Sequence, residues 1–305
     1  GGGHAEQQYK GMAPESDIVF VKAGNATFPS TNIIDGMNYC GEVAEDEGKP
    51  LVVNMSLGGD FGPHDGTVAQ DVAVDNFLSG SSGRAVVISA GNEGDSGMHT
   101  MKSLSANGST SFTVNVPSTT AGEFRADVWL SSADNADISV ETPGGVTVGP
   151  VSPGGNTTVN TGEGQVFLAN QTSANLGGGD REMQIDVDDA GGNPLEQGNW
   201  TVTVNNTSSN PLTVHGWLWD STLSGGVSAD LVGGDSNYTI GTPGSSKKAI
   251  TIGSWVHRWR WCSDGGSCLS YSGTDRSDDI SSFSSIGPLR DGTQKPEIAG
   301  PGQGM

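Results

Sequence analysis

Residues 85–94 read Ala-Val-Val-Ile-Ser-Ala-Gly-Asn-Glu-Gly, and this run limits the folds open to the chain more than any other. Ala85 to Ile88 is unbroken apolar sequence with β-branched Val86 and Val87, the pattern of a strand fully buried in a parallel sheet. The small residues after it let the backbone turn sharply at the strand's carboxyl end. Open α/β sheets keep their chemistry at that end. An Asn placed there, here Asn92, can donate N–H bonds to an oxygen that turns negative during acyl transfer, the work of an oxyanion hole. The bland alternative is an Asn that caps its own turn.

The surroundings of this run are α/β in pattern. From Gly11 a turn feeds Ile18-Val-Phe-Val-Lys22, which reads as a short buried strand. Residues 30–46 space Ile33, Ile34, Met37, Tyr39 and Cys40, with Val43 and Ala44, as a helix, with Ser30 and Thr31 as candidate caps. Leu51–Met55 is the next strand. A second helix is expected from about Thr67 to Leu78, with Val68, Val72, Val74 and Phe77 in one stripe, stopped by Gly80 and Gly83. Strand, helix, strand, helix, strand at these lengths predicts a parallel sheet with right-handed crossovers.

Between about Met101 and Asp220 the helical spacing disappears. Short alternating segments take over at 112–116, 124–130, 138–140, 165–168, 183–187, 200–204 and 212–219, separated by Gly, Pro and Asn clusters. That density of strands predicts a β-sandwich or jelly roll. The α/β pattern resumes at Tyr238. The expected fold class is therefore α/β, a parallel-sheet core formed by residues 1–100 and 238–305, interrupted by an all-β insertion at 101–237.

Several blocks carry a resemblance. In chain order they are Gly11-Met-Ala-Pro-Glu-Ser-Asp-Ile18, Asn54-Met-Ser-Leu-Gly-Gly59, Ala90-Gly-Asn-Glu-Gly94, Tyr238-Thr-Ile-Gly-Thr-Pro243 leading to Ala249-Ile-Thr-Ile-Gly253, Phe283-Ser-Ser-Ile-Gly-Pro288 and Lys295-Pro-Glu-Ile-Ala-Gly-Pro-Gly302. This series resembles the subtilisin-like serine proteases, the subtilases of peptidase family S8. The resemblance implies a secreted, extracellular serine endopeptidase that hydrolyses peptide bonds through an acyl-enzyme, with Asn92 as oxyanion donor. It further implies that Ser56, Leu57 and Gly58 form the edge on which an extended peptide substrate lies, with Ala90 and Gly91 walling a side-chain pocket. The Ser56–Gly58 segment is also compatible with a strand that merely ends in a Gly turn. Ile286 departs from the Arg usual at its position in the family.

The catalytic Asp, His and Ser motifs of the family are absent from the 305 residues. Asp95-Ser96-Gly97 spells the first of them but follows the oxyanion block, and no apolar strand precedes it. His4 lies in Gly-Gly-Gly-His-Ala-Glu-Gln, which does not match the His motif, and no Gly-Thr-Ser occurs. The resemblance thus implies an interior piece of a protease, inactive by itself. The alternative reading is a non-catalytic binding or structural module, a pseudoprotease whose sandwich contacts a protein, a cell surface or a glycan.

Charge narrows the partners. A formal net charge of -21 repels phosphate backbones and anionic lipid, which argues against nucleic acid and membrane surfaces. No apolar run approaches the roughly 18 residues of a membrane span. Of the three cysteines, Cys262 and Cys268 enclose a short loop that could close a small disulfide hairpin, and Cys40 suits a buried thiol. The spacing offers no zinc ligands and no cofactor is expected. Asp264, Asp275, Asp278 and Asp279 could supply oxygens to a structural Ca²⁺ or simply form a solvated loop. His215, Trp217 and Trp219 alternate along one strand, as a packed or surface aromatic row or as a sugar-stacking platform.

Overall fold

Helix α1, Ser30–Asp46, buries Ile33, Met37, Cys40 and Gly41, the three-and-four spacing read from the sequence. In the computed structural model, which describes residues 12–25, 27–119, 122–131, 134–172, 179–219, 229–263, 265–271 and 275–304, neither Ser30 nor Thr31 caps it. The cap position is Pro29, with no side-chain hydrogen bond, and its carbonyl accepts from the N–H groups of Asn32 and Ile33. Strand β1 (Leu51–Met55), helix α2 (Ala69–Gly80) and strand β2 (Arg84–Ser89) follow. Val74 and Phe77 of α2 are buried while Val72 is exposed, because two residues advance a helix by about 200° and turn Val72 to the opposite side from Val74.

Next come eleven short strands: β3 (His99–Leu104), β4 (Ser109–Val116), β5 (Glu123–Leu130), β6 (Ala136–Glu141), β7 (Thr147–Val151), β8 (Asn156–Asn160), β9 (Gln165–Thr172), β10 (Arg181–Asp188), β11 (Gly198–Asn206), β12 (Leu212–Trp219) and β13 (Asp230–Leu231). The chain then forms β14 (Ile250–Val256), the hairpin strands β15 (Arg260–Cys262) and β16 (Cys268–Ser270), and β17 (Ile298–Gln303). Cys262 and Cys268 are joined as a disulfide, and Cys40 is a buried free thiol.

Among the described residues, β1, β2, β14 and β17 form a parallel sheet in that order. Both helices lie on one face, where Ile33, Met37, Val74 and Phe77 pack on Met55, Val86, Ile88 and Ala249. The other face presents Val52, Ile250 and Ile298, all exposed. The expectation that β2 is buried on both faces is therefore corrected: Val86 and Ile88 are enclosed by the helices, whereas Val87 is only half-buried. The expected strand at Ile18–Lys22 is also absent. A strand persists through its ladder, and among the described residues this segment has no pairing partner, leaving Ile18 and Phe20 exposed while Val21 rests beside Gly36 of α1.

The region from β3 to β13 forms two antiparallel sheets, ordered β3-β12-β5-β10-β9-β8 and β13-β4-β11-β6-β7. One apolar cluster draws on both. Phe124, Val128, Met183 and Ile185 come from the first sheet, and Phe112, Val140, Trp200 and Val202 from the second. Each of the seven segments read from alternation is a strand here. β3, β7, β8 and β13 were not legible as such, and β8 shows why: its residues are exposed or half-buried, so no apolar alternation marks them.

Candidate functional site

At the carboxyl end of β2 the chain turns through Ala90-Gly91-Asn92-Glu93, and this turn forms one wall of a cleft of about 120 Å³. Ser56, Leu57, Gly58, Gly59 and Asp60, which follow β1, form the facing wall, and Gly241 and Thr242 close it. The parallel pairing of β1 with β2 places both walls at the same end of the sheet. All six residues singled out in the sequence, Ser56, Leu57, Gly58, Ala90, Gly91 and Asn92, line this cleft.

Small residues are required here by space. Gly91 has φ +115°, and a Cβ on it would lie 2.4 Å from Glu93 Oε2 and 2.5 Å from Ser285 Oγ. A Cβ on Gly58 would come within 3.1 Å of the Thr242 carbonyl. Gly59 and Thr242 exchange two backbone hydrogen bonds of 2.9 Å, which tie the back of the cleft together.

The turn itself is clamped. The Asn92 and Ser285 donors both reach Glu93 Oε2, the first through its backbone N–H at 2.5 Å and the second through its hydroxyl at 2.7 Å. Ser285 Oγ in turn accepts the Glu93 N–H at 3.0 Å, and the Ser285 N–H donates to the Gly91 carbonyl at 3.2 Å. The Phe283 carbonyl accepts the Gly94 N–H at 2.9 Å. With its backbone held in this way, Asn92 is exposed, and its side-chain amide makes no hydrogen bond with any described residue. Such an amide is free to meet an incoming acceptor.

Behind the closing wall, Asp71 of α2 is fully buried and accepts from the hydroxyls of Thr242 (3.0 Å) and Ser245 (2.8 Å). Burial pushes its carboxyl up to about 7 against the pull of those two hydroxyl donors. Glu93, Ser285 and Asp71 were missed as site residues. The first two stand inside recognisable blocks, but their pairing spans 192 residues and no local spacing announces it. Asp71 had only its position on the buried side of α2 as a signal.

A second constellation joins the parallel-sheet region to the antiparallel sheets. His64 stacks on Trp217 at 4.5 Å with the planes 10° apart, and its two ring nitrogens face the carbonyls of Ile240 (2.9 Å) and Asp60 (2.8 Å). His99 Nδ1 meets Asp235 Oδ1 at 2.9 Å, while its Nε2 meets His215 Nδ1 at 3.0 Å. Tyr238 packs against both of these rings at 4.9 Å. Arg290 bonds Asp65 and Asp180 beside them. His215 and Trp217 are thus buried, and the sugar-platform reading fails for them because the rings are already covered by His64, His99 and Tyr238.

Asp95-Ser96-Gly97 lies in an exposed to half-buried turn, away from the cleft lining. His4 and Asp264 fall outside the described residues. Asp275 accepts from the Ser282 hydroxyl, and among the described residues no three His, Cys, Asp or Glu side chains are grouped so as to hold a metal ion. No described helix is long and apolar enough to cross a membrane.

Comparison with known proteins identifies the family and the fold. A family model described as the subtilase family, Peptidase_S8, matches residues 1–218 and 220–304. Among solved structures, the Clostridium perfringens CspB protease superposes with a TM-score of 0.69 at 19% identity, over 90% of this chain and 53% of that one. The chain therefore spans about half the length of that protease. A Bacillus licheniformis lipase, BlEst2, in propeptide form, matches 65% of this chain and 66% of its own at 9% identity, with a TM-score of 0.27 too low to carry an argument. No curated protein sequence matches.

Proposed function

This chain belongs to the subtilase family, and from that premise we propose that the complete protein is an extracellular serine endopeptidase with Asn92 as an oxyanion donor. The observation that carries the reading is the Asn92 amide, exposed and unbonded at the rim of the one cleft where the Ser56–Gly58 and Ala90–Gly91 segments converge. A peptide laid along Ser56–Gly58 brings its carbonyl oxygen to Asn92. Attack by a serine makes that oxygen an oxyanion, and the amide N–H bonds strengthen as the charge develops. The clamp through Glu93 and Ser285 supports the same reading, since it holds the backbone from which the Asn92 amide projects and so limits the reorganisation left to the side chain when the charge appears.

A serine-directed fluorophosphonate tests the proposal. Labelling of the complete protein, abolished by prior peptide substrate, is the expected result, and the 305 residues alone, which hold no Gly-Thr-Ser, are expected to stay unlabelled. A complete protein that neither labels nor cleaves peptides would transfer the chain to the other class, a binding module.

We also propose that residues 101–237 are an inserted jelly-roll domain, between core segments 1–100 and 238–305. Support comes from the shared apolar cluster, whose members all lie between Leu104 and Leu231 and so bury one another. Expressed alone, residues 101–237 should unfold cooperatively with β-type circular dichroism. A non-cooperative transition would show that the boundary or the domain is misplaced.

A further inference from the structure

We infer that His64 is a positioning residue for the cleft, a clip through which the antiparallel sheets set the placement of both cleft walls and hence the hold on substrate. The effect on substrate rests on the proposed peptidase reading, in which the cleft receives the peptide.

His64 lines no part of the cleft, yet each of its ring nitrogens faces a carbonyl that belongs to, or adjoins, one of the walls. Nε2 lies 2.8 Å from the carbonyl of Asp60, which ends the wall that begins at Ser56. Nδ1 lies 2.9 Å from the carbonyl of Ile240, the residue before Gly241 and Thr242 of the closing wall. A neutral imidazole carries one N–H, so it donates to one carbonyl while its other nitrogen abuts the second, and the width of the ring fixes the gap between them. From Ile240 the contact continues to the turn that carries Asn92, since the Ile240 side chain packs with Ala90 and Leu289 in one buried cluster.

The ring takes its own place from the antiparallel sheets. Trp217 of β12 stacks on it at 4.5 Å, and the Trp217 Nε1–H donates to the Tyr238 carbonyl at 3.0 Å, two residues before Ile240. One side chain of β12 thus meets both the clip and the segment it holds. The clip has little freedom. His64 is buried, and its carbonyl accepts the Arg290 N–H at 2.9 Å. Its φ of +51° is one that a residue with a Cβ keeps only where its surroundings hold it. Bracing a loop locally would need neither the stack on β12 nor contacts divided between two walls.

Two measurements on the complete protein test this. In hydrogen exchange resolved to single amides, Gly59 and Thr242, which bond each other's carbonyls at the back of the cleft, should exchange roughly tenfold faster in His64→Phe and in Trp217→Leu than in the wild type. In peptide hydrolysis the same two variants should raise KM by roughly tenfold with kcat changed less, because misplaced walls weaken ground-state binding. His64→Gln, which keeps an N–H donor, should recover part of both losses, and it carries the test with Trp217→Leu if His64→Phe does not fold. Val148→Ala, in the apolar cluster on the sheet that lacks β12, controls for lost stability. It should lower the urea midpoint and leave KM and the two amides as in the wild type. Faster exchange at both amides in a protein that cleaves no peptide would sink the peptidase reading and leave the clip standing. Unchanged amides in His64→Phe and Trp217→Leu, a fall in kcat alone, or a KM rise matched by Val148→Ala would overturn the inference.

Discussion

Asn92→Ala in the complete protein should lower kcat by on the order of 10²–10³-fold with KM nearly unchanged, a magnitude carried over from subtilisin's own oxyanion Asn and not calculated from this geometry. The reasoning about KM is independent of that figure. Asn92 lines the cleft together with Ser56–Gly58, and in the proposed reading ground-state binding draws on that segment and the cleft walls rather than on the amide. An interaction that strengthens only as the carbonyl becomes an oxyanion lowers the barrier without tightening the Michaelis complex. Steady-state kinetics on a peptide substrate decides the matter. A change mainly in KM, or an unaltered enzyme, would reduce Asn92 to a turn residue and move the active site elsewhere.

Acid should loosen the histidine junction by several kcal/mol. Burial holds His64 at about 4, against carbonyl partners that favour its charged form, and burial followed by the neighbouring His99 and Arg290 charges holds His215 at about 4. His99 is lowered too, again by burial, with Asp235 opposing. Around these rings lie the carboxylates of Asp235 and Asp65, the Arg290 guanidinium and the Ile240 and Asp60 carbonyls. The unfolded chain takes up protons near pH 6.5 and the folded one only near 4. The stability these rings contribute is therefore complete above about pH 7.5 and falls as pH drops from 6.5 toward 4. For His64, a change from 6.5 to about 4 corresponds to about 3 kcal/mol.

Buried acids act in the opposite sense. Asp71, at about 7, and Glu182, at about 6, are both raised chiefly by burial, and stability from their neutral forms is lost as pH rises. The pH profile of the wild type alone therefore mixes both signs, and a difference measurement is needed. His64→Phe keeps a ring on Trp217 but cannot be charged. Its destabilisation, read by urea unfolding, should be smaller at pH 4.5 than at pH 7.5 by about 3 kcal/mol. A destabilisation equal at the two pH values would mean that His64 does not change its charge on unfolding in this range.

Much of this molecule is written locally. Alternation marked seven strands of the antiparallel region because every second side chain of a half-buried strand must avoid water, and helical spacing marked α1 and α2 for the same reason at a different period. The turn through Gly91 and Asn92 was legible because a sharp turn after a strand demands particular small residues, whereas Ser56–Gly58 was singled out only through the family resemblance.

Where a side chain's fate depends on a partner far along the chain, local pattern was silent or misleading. Ile18–Lys22 has strand composition but no ladder, and Val87 has a core residue's identity but a half-open face. Along β5, Asp127 and Trp129 alternate outward from the shared cluster and are nonetheless buried, Trp129 against Met98, Trp217 and Tyr238. The Glu93–Ser285 clamp, the Asp71 support beneath Thr242 and the His64–Trp217 stack each join residues more than 150 positions apart. The sequence by itself determined the helices α1 and α2, the strands marked by apolar runs or alternation and the turn that carries Asn92, since these follow from neighbours a few residues away. Only the tertiary structure decided what covers each face, which residues face one another across the cleft and which histidines lose their water, because burial and charge are set by whatever the fold brings alongside.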